Sequence, residues 1–230
     1  MVANKHLTLA ILLLAFTAHS GDSTITYANK TYKTVKIGEQ VWMAENLNYN
    51  AEGSVCYGEG GKVHFLGPDE GDIFSIGKTK TLSDNEIQAN CAKYGRLYDW
   101  KTAKMVCPKG WHLPSNEEWD KLFRFVDSDT SSKSPYKSLT ADKHLKAASG
   151  WNSVDGVSGN GTDAHGFSAL PGGFGNSSRS DFSSVGFIGF WWCASEYDSN
   201  DAYIYGMDYK DAGRHSGIKS ALFSVRCVQD

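Results

Sequence analysis

The order of strand-forming and helix-forming segments constrains the fold of this chain most strongly. Residues 34–37 and 40–43 alternate apolar and polar side chains around Gly38, which predicts a β-hairpin. Near the other end, residues 190–194, 202–207 and 222–228 are rich in β-branched and aromatic residues and predict three strands, with polar turns at 198–201 and 210–219. Strands at both ends with helices between them favour an α+β fold whose two ends meet in one sheet.

The helix signals lie in the middle of the chain. Ser115 and Glu118 have the spacing of a capping box, in which each side chain bonds a free amide at a helix start. One buried face of that helix is then predicted at i, i+3, i+4 and i+7, by Trp119, Leu122, Phe123 and Val126. Residues 97–106 also carry apolar side chains at helical spacing, and a shorter helix is predicted at 141–148, ended by Gly150.

Composition indicates long loops around an aromatic core. The chain has 24 Gly, only 5 Pro and 13% aromatic residues. Residues 57–90 show no sustained period, so a long loop with a small hairpin near 63–66 is expected there. A Gly-rich loop system is expected over residues 155–176, and residues 21–33 predict a linker or a first strand.

The N-terminal residues have the layout of a secretory signal peptide. Lys5 and His6 precede an apolar run over residues 7–18, and Ala18 and Ser20 place small residues before a cut at Gly21. The run is about 12 residues, whereas a membrane-spanning helix needs roughly 20. We therefore expect residues 1–20 to be removed on export; an uncleaved anchor is the alternative.

Charge excludes one class of partner. The formal net charge is −3 for 230 residues, and no run of Lys or Arg occurs. Nucleic acid is therefore not an expected partner, because neutralising phosphates requires clustered cations. No second apolar stretch is long enough to predict a membrane span in the mature chain.

The chain has five cysteines, and none of them has C-x-x-C spacing. In an exported protein, paired thiols oxidise to disulfides and persist. Because five is odd, at least one thiol is left over or bonds another chain. The spacing does not fix which cysteines pair.

Several ordered segments resemble a known family. They are VWMAENLN (41–48), YGRLYDW (94–100), CPKGWHLPS (107–115), EW (118–119), GFSALPGG (166–173) and FSVRCV (223–228). Together they resemble the Fibrobacter succinogenes major paralogous domain, over residues 34–230. This family is expected in secreted proteins and on bacterial surfaces, and has no agreed biochemical activity.

The resemblance implies a fold and a disulfide pairing. Segments 113–119 and 225–227 are also similar to C-type-lectin-like folds, which include the formylglycine-generating enzymes. The implied fold is a twisted antiparallel sheet with two main helices and long loops. The implied pairs are Cys56–Cys91 and Cys107–Cys227, which leaves Cys193 where the family has a small polar residue.

Aromatic residues crowd the last third of the chain, and exposed rings make stacking faces for sugars. Trp192, Tyr203 and Tyr205 are the candidate carbohydrate-binding residues. If Trp191 faces inward, alternation along a strand turns Trp192 outward. Packing in the core is the alternative for each ring.

Calcium is a candidate cofactor. Asp155, Asn160 and Asp163 lie in the Gly-rich loop and offer the oxygen ligands that this hard cation prefers. Asp and Asn are also ordinary turn residues, which is the alternative explanation. A weaker candidate is the polar turn with Glu196, Asp198, Asn200 and Asp201.

No catalytic motif occurs: the chain has no G-x-S-x-G, no P-loop, no G-x-G-x-x-G and no H-E-x-x-H. The sequence therefore predicts a non-catalytic secreted or cell-surface module that binds polysaccharide or a cell-surface protein; the periplasm is the alternative location. A structural protein of the cell envelope is a second hypothesis. An oxidase of the formylglycine-generating type is a third, although Cys193 and Cys227 lack the spacing of that enzyme's cysteine pair.

Overall fold

The computed structural model describes residues 23–66, 76–127, 137–138 and 140–230. The predicted signal peptide, residues 1–20, lies outside the described residues. The strands are β1 (Ser23–Tyr27), β2 (Lys30–Ile37), β3 (Gln40–Met43), β4 (Lys62–Leu66), β5 (Ile76–Lys80), β6 (Leu97–Tyr98), β7 (Trp111–His112), β8 (Lys137–Ser138), β9 (Phe174–Gly175), β10 (Asp181–Ser183), β11 (Gly189–Glu196), β12 (Asp201–Met207), β13 (Ala212–Ile218), β14 (Phe223–Ser224) and β15 (Val228–Gln229). The helices are α1 (Asp84–Tyr94), α2 (Trp100–Ala103), α3 (Asn116–Val126) and α4 (Ala141–Leu145).

The two ends of the described chain meet in one five-stranded sheet, ordered β1-β2-β3-β15-β7. Val228 on β15 lies opposite Trp42 on β3 and opposite His112 on β7. The hairpin predicted around Gly38 is confirmed as β2 and β3, with Ile37 opposite Gln40. Residues 23–27, predicted as linker or strand, form β1 and pair with β2.

A six-stranded sheet holds the aromatic strands, in the order β6-β14-β11-β12-β13-β8. Its pairs are antiparallel except β11 with β14. The predicted turn at 210–219 is wrong, because most of it is β13, paired along its length with β12. Its sequence, AGRHSGI, is polar and contains two glycines, so cross-strand pairing rather than strand propensity determines its structure.

A four-stranded sheet, ordered β5-β4-β10-β9, is built around the hairpin predicted near 63–66. Its strands β4 and β5 are antiparallel, and β10 pairs with β4 in parallel. The described residues therefore form an α+β fold that is mostly sheet, largely antiparallel, with few helices.

Helix α3 confirms its prediction, whereas helix α1 lies in a segment predicted mostly as loop. Helix α3 begins at the predicted capping box of Ser115 and Glu118, and its four predicted core residues are buried. Residues 84–90, predicted as part of a long loop, belong to α1, which has 11 residues and its own capping box of Ser83 and Glu86. Only Ile87, Cys91 and Tyr94 of α1 are buried, so its hydrophobic period is too weak to stand out in the sequence.

Two shorter helices differ from their predicted bounds. Residues 97–98 are strand β6, so only Trp100–Ala103 of the segment predicted over 97–106 is helical, as α2. Helix α4 ends at Leu145 rather than at 148. The backbone after Leu145 instead bonds the loop at Ala169, with Ala169 N–H donating to Leu145 O at 2.9 Å and Ala147 N–H donating to Ala169 O at 3.0 Å.

Strand β11 lies between two hydrophobic cores. Trp191 packs into a core with Trp42, Trp119 and Tyr205. Trp192, on the opposite face of the strand, packs into a second core. Both indoles are 0% exposed, because helix α3 and the loops cover one face while the first sheet and α2 cover the other.

A buried arginine joins the segments that carry the family resemblance. The guanidinium of Arg226 donates to the side-chain oxygen of Asn46 at 2.8 Å and to the backbone oxygen of Phe167. Trp191 donates its indole N–H to the same Asn46 oxygen at 2.8 Å. Burial lowers the pKa of Arg226 to about 9, so its charge persists at neutral pH and is held by fixed dipoles.

Candidate functional site

The expectation that Trp192 and Tyr205 present rings to a sugar is wrong. Trp192 is 0% exposed and Tyr205 is 1% exposed. The ring of Tyr205 stacks on Trp119, with centroids 5.0 Å apart and planes at 13°, and its hydroxyl donates to Asp120 at 2.7 Å. The alternation of Trp191 and Trp192 is present, but a sheet that is covered on both faces buries both side chains.

Tyr203 is the one predicted carbohydrate residue that reaches the surface. It is half-buried, and its ring meets Tyr197 edge to face at a centroid distance of 5.2 Å. Tyr197 is 55% exposed, and the guanidinium of Arg214 lies 4.8 Å from the Tyr203 ring. Tyr203 and Tyr197 thus form an aromatic pair at the surface.

Two of the three predicted calcium ligands, Asn160 and Asp163, use their side-chain oxygens for hydrogen bonds to neighbouring loop residues. Asn160 Oδ1 accepts from the backbone N–H of Trp151 at 2.9 Å. Asp163 accepts from the backbone N–H of Ser168 at 2.7 Å and from its hydroxyl at 2.5 Å. Asp155 has a positive φ of 50°, a turn conformation that Asp tolerates. Among the described residues, no group of three or more His, Cys, Asp or Glu side chains is placed to hold a metal ion.

In the second acidic turn, a lysine contacts three of the oxygens. The ammonium of Lys219 donates to Glu196, to the backbone oxygen of Asp198 at 2.6 Å and to that of Ser199 at 2.9 Å. The carboxylate of Asp198 accepts the backbone N–H groups of Asn200 and Asp201, and these bonds lower its pKa. The turn is therefore satisfied by side chains of the chain itself.

The candidate site is a cleft that no single segment of the sequence encodes. Strand β4, the last turn of α1, residues 150–152 and residues 184–187 form its walls, and they enclose about 610 Å³. Pockets for small ligands typically hold roughly 300–1,000 Å³. The cleft is thus large enough for a short oligosaccharide.

Two side chains in the cleft are accessible and complementary in chemistry. Phe65, on β4, is 41% exposed and offers a ring face. Asn152 is exposed, and its amide makes no hydrogen bond to any residue that the structure describes. A free amide provides two donors and one acceptor with two lone pairs.

The wall that carries Asn152 is fixed by backbone hydrogen bonds. The N–H of Asn152 donates to Gly186 O at 2.8 Å, and the N–H of Gly186 donates to Pro171 O at 2.9 Å. Gly186 has a φ of 86°, and a Cβ there would lie 2.5 Å from Asn152 Nδ2. Only glycine allows this close approach, and the two hydrogen bonds hold the backbone of Asn152 in the cleft wall.

Both ring nitrogens of His64, which lines the cleft, have hydrogen-bond partners within the protein. Its Nε2 lies 2.7 Å from Asp181 and its Nδ1 lies 3.2 Å from the Thr79 hydroxyl. Hydrogen bonds from Ser180 and from His64 lower the pKa of Asp181. Both ring nitrogens therefore hold β4 to its neighbouring strands β10 and β5.

A disulfide positions the helix that forms one wall. Cys56 and Cys91 are bonded, as the resemblance implies, which ties α1 to the loop before β4. Arg96 packs beside this disulfide and donates to Ser54 Oγ at 2.8 Å and to Ser54 O at 2.8 Å. Lys93 and Tyr94, which line the cleft, directly follow the bonded turn of α1.

The other implied disulfide, Cys107–Cys227, is also present, and Cys193 is a free buried thiol. Burial raises the pKa of Cys193 to about 11, and its thiol donates to Asn116 Oδ1 at 3.2 Å. A neutral, buried thiol is a poor nucleophile. Two disulfides are consistent with an extracellular or periplasmic protein, and none of the helices in the described ranges is long and apolar enough to cross a membrane.

The fold and the two disulfides define a disulfide-bonded α+β domain with a preformed surface cleft. Residues 35–229 match the family described as the Fibrobacter succinogenes major domain. The chain therefore belongs to this family, which confirms the resemblance drawn from the six ordered segments. No curated protein and no solved structure matches the chain.

Sequence reasoning missed every residue of the cleft. Phe65, Lys93 and Asn152 lie far apart in the chain and carry no motif. One signal could have located a wall: the capping box of Ser83 and Glu86 predicts α1 and hence the last turn that carries Lys93. The position of Asn152 depends on long-range backbone bonds, which leave no local pattern.

Proposed function

We propose that this chain is an exported, non-catalytic module that binds a segment of a polysaccharide in the cleft. The observation that carries the proposal is a preformed cleft of about 610 Å³ with an exposed ring, Phe65, and a free amide, Asn152. A pyranose ring has an apolar face of C–H groups and a rim of hydroxyls. An aromatic face and an amide complement these two parts.

Three observations support binding without catalysis. Cys227 is consumed in a disulfide and Cys193 is buried, so a pair of reactive cysteines of the formylglycine-generating type is not formed by these two. His64 has both nitrogens engaged, which removes it as a free proton carrier in the cleft. We retain the C-type-lectin-like architecture as part of the proposal, but without calcium, because the oxygens of Asn160 and Asp163 serve the loop.

The test is retention on polysaccharides. The full chain, produced by export so that both disulfides form, is applied to a panel of insoluble and soluble polysaccharides, with calcium and with EDTA. We expect retention that EDTA does not change. Phe65→Ala is expected to weaken binding about fivefold to thirtyfold, since a ring–ligand contact contributes on the order of 1–2 kcal/mol. Asn152→Ala is expected to weaken binding about threefold to tenfold.

Matched controls separate the cleft from the rest of the surface. Phe125, 56% exposed and outside the cleft, serves as the control for Phe65. Phe125→Ala should leave retention unchanged. Tyr197→Ala tests the tyrosine pair with Tyr203: loss of binding in that variant alone would move the site to that pair. Absence of retention on every polymer would overturn the proposal and favour the structural envelope role.

A further inference from the structure

One lysine, Lys93, lines the cleft. No Asp or Glu is among the described residues of its walls, and the imidazole of His64, which also lines it, is paired with Asp181 at 2.7 Å. The chain as a whole carries a formal charge of −3. The described lining of the cleft therefore offers a cation, whereas the chain as a whole is net negative.

Lys93 is the available charge. It is exposed and has no carboxylate within ion-pair distance among the residues that the structure places; its ammonium lies 4.8 Å from the centroid of the Tyr94 ring. Its place in the last turn of α1 suits the helix dipole, which stabilises the cation but leaves its three N–H donors free. By contrast, Lys219, Lys146 and Lys121 each pair with a carboxylate.

Gly150 lies next to the Lys93 side chain in the cleft lining. Gly150 has a φ of 98°, and a Cβ at this position would lie 4.0 Å from Lys93 Nζ. Because Gly150 has no side chain, no Cβ of that residue lies beside the Lys93 ammonium, and both residues line the cleft. A cation and a free amide thus line the same cleft as the exposed ring of Phe65.

We infer that the cleft selects sugars that carry an anionic group, a carboxylate or a sulfate ester, which pairs with the Lys93 ammonium. This inference rests on the proposed function, because it names the ligand class of the same cleft. A charge-assisted hydrogen bond is about twice as strong as a neutral one. An acidic polymer is repelled by a net negative protein, so its binding requires a local cation at the contact.

Paired polymers that differ only in charge test the inference. Binding of the full, oxidised chain is measured by calorimetry against polygalacturonate and against its methyl ester. A second arm compares dextran sulfate with dextran. We expect polygalacturonate or dextran sulfate to bind at least tenfold more tightly than its neutral counterpart at low salt, with the difference narrowing at high salt. A preference for polygalacturonate identifies a carboxylate as the recognised group, and a preference for dextran sulfate identifies a sulfate ester.

Variants assign that preference to Lys93. Lys93→Gln should reduce the preference for the acidic over the neutral polymer about threefold to tenfold, while Lys93→Arg should retain the preference. Lys109, an exposed lysine outside the cleft, provides the control, and Lys109→Gln should have no effect.

The experiments distinguish a failure of the anionic preference from a failure of polysaccharide binding itself. Equal binding of charged and neutral polymers would overturn the anionic preference and leave polysaccharide binding intact. Equal losses in Lys93→Gln and Lys109→Gln would show diffuse attraction and would also overturn it. Failure of all four polymers and of the wider panel would overturn the proposed function and the inference with it.

Discussion

At the scale of single residues, His112 connects Asp230, which follows β15, to Glu118 in the first turn of α3. Its Nδ1 lies 2.7 Å from Asp230 Oδ1 and its Nε2 lies 2.7 Å from Glu118 Oε1. Both contacts are hydrogen bonds only if both nitrogens carry protons, which makes the ring an imidazolium. Burial lowers the pKa of His112, but the bonds to Asp230 and Glu118 outweigh burial, so the pKa is raised above 6.5.

This pair of contacts predicts a pH-dependent contribution to stability. A raised folded-state pKa means that the stabilisation is complete below the unfolded pKa of about 6.5 and is lost as pH rises through the folded pKa. His112→Gln should lower the free energy of unfolding by about 0.5 kcal/mol at pH 5.5, a small value because the ring is 41% exposed. The difference should vanish at pH 9. Urea unfolding at the two pH values measures it.

The control is an exposed histidine with no carboxylate partner among the described residues. His215→Gln, on β13, should give the same small change at both pH values. A deficit of His112→Gln that persists at pH 9 would show that packing, and not the imidazolium, is the source of the effect.

At the scale of elements, predictability depends on how local the determinants are. Helix α3 could be predicted because its capping box and its four buried positions lie within one segment. Helix α1 has only three buried residues and depends on Cys56 and the following loop for its place, so its period in the sequence is weak. Strand β13 has a polar sequence and is held by β12. Trp192 was misplaced because alternation gives the face of a strand and not whether that face is covered.

The position of α1 should depend on its disulfide. In a Cys56→Ser, Cys91→Ser double variant, α1 retains its cap but loses the covalent link to the loop before β4. We expect amide exchange in α1 to accelerate at least tenfold and affinity for the polysaccharide to fall about fivefold, because Lys93 and Tyr94 are no longer held in the cleft wall. Hydrogen exchange and calorimetry on the same sample measure both effects.

Amides of α3 provide the internal reference, since that helix packs into the central core. Equal acceleration in α1 and α3 would indicate global destabilisation. Unchanged affinity with a loosened α1 would remove Lys93 and Tyr94 from the binding surface.

At the scale of the whole molecule, the Cys107–Cys227 disulfide closes the chain on itself. Its two cysteines are separated by 120 residues and lie just before β7 and β15, which are neighbours in the first sheet. The link therefore joins the segment before α3 to the segment that completes the sheet.

Because the closed loop is long, this disulfide should stabilise the fold strongly. A Cys107→Ser, Cys227→Ser double variant is expected to lose about 3–5 kcal/mol of unfolding free energy, chiefly through the greater freedom of its unfolded chain. Urea denaturation of the oxidised protein and the variant measures the loss. Cys193→Ala, which removes a thiol without removing a disulfide, should lose about 1 kcal/mol. A loss below 1 kcal/mol in the double variant would contradict the argument.

The inner position of β15 in the first sheet has a consequence for the order of events during biogenesis. β15 fills the gap between β3 and β7, so the sheet cannot close until residue 229 has been synthesised. Until then, β3 and β7 both lack the strand that lies between them in the finished sheet. The first sheet, and the disulfide whose second cysteine directly precedes β15, can therefore be completed only after synthesis has passed residue 229.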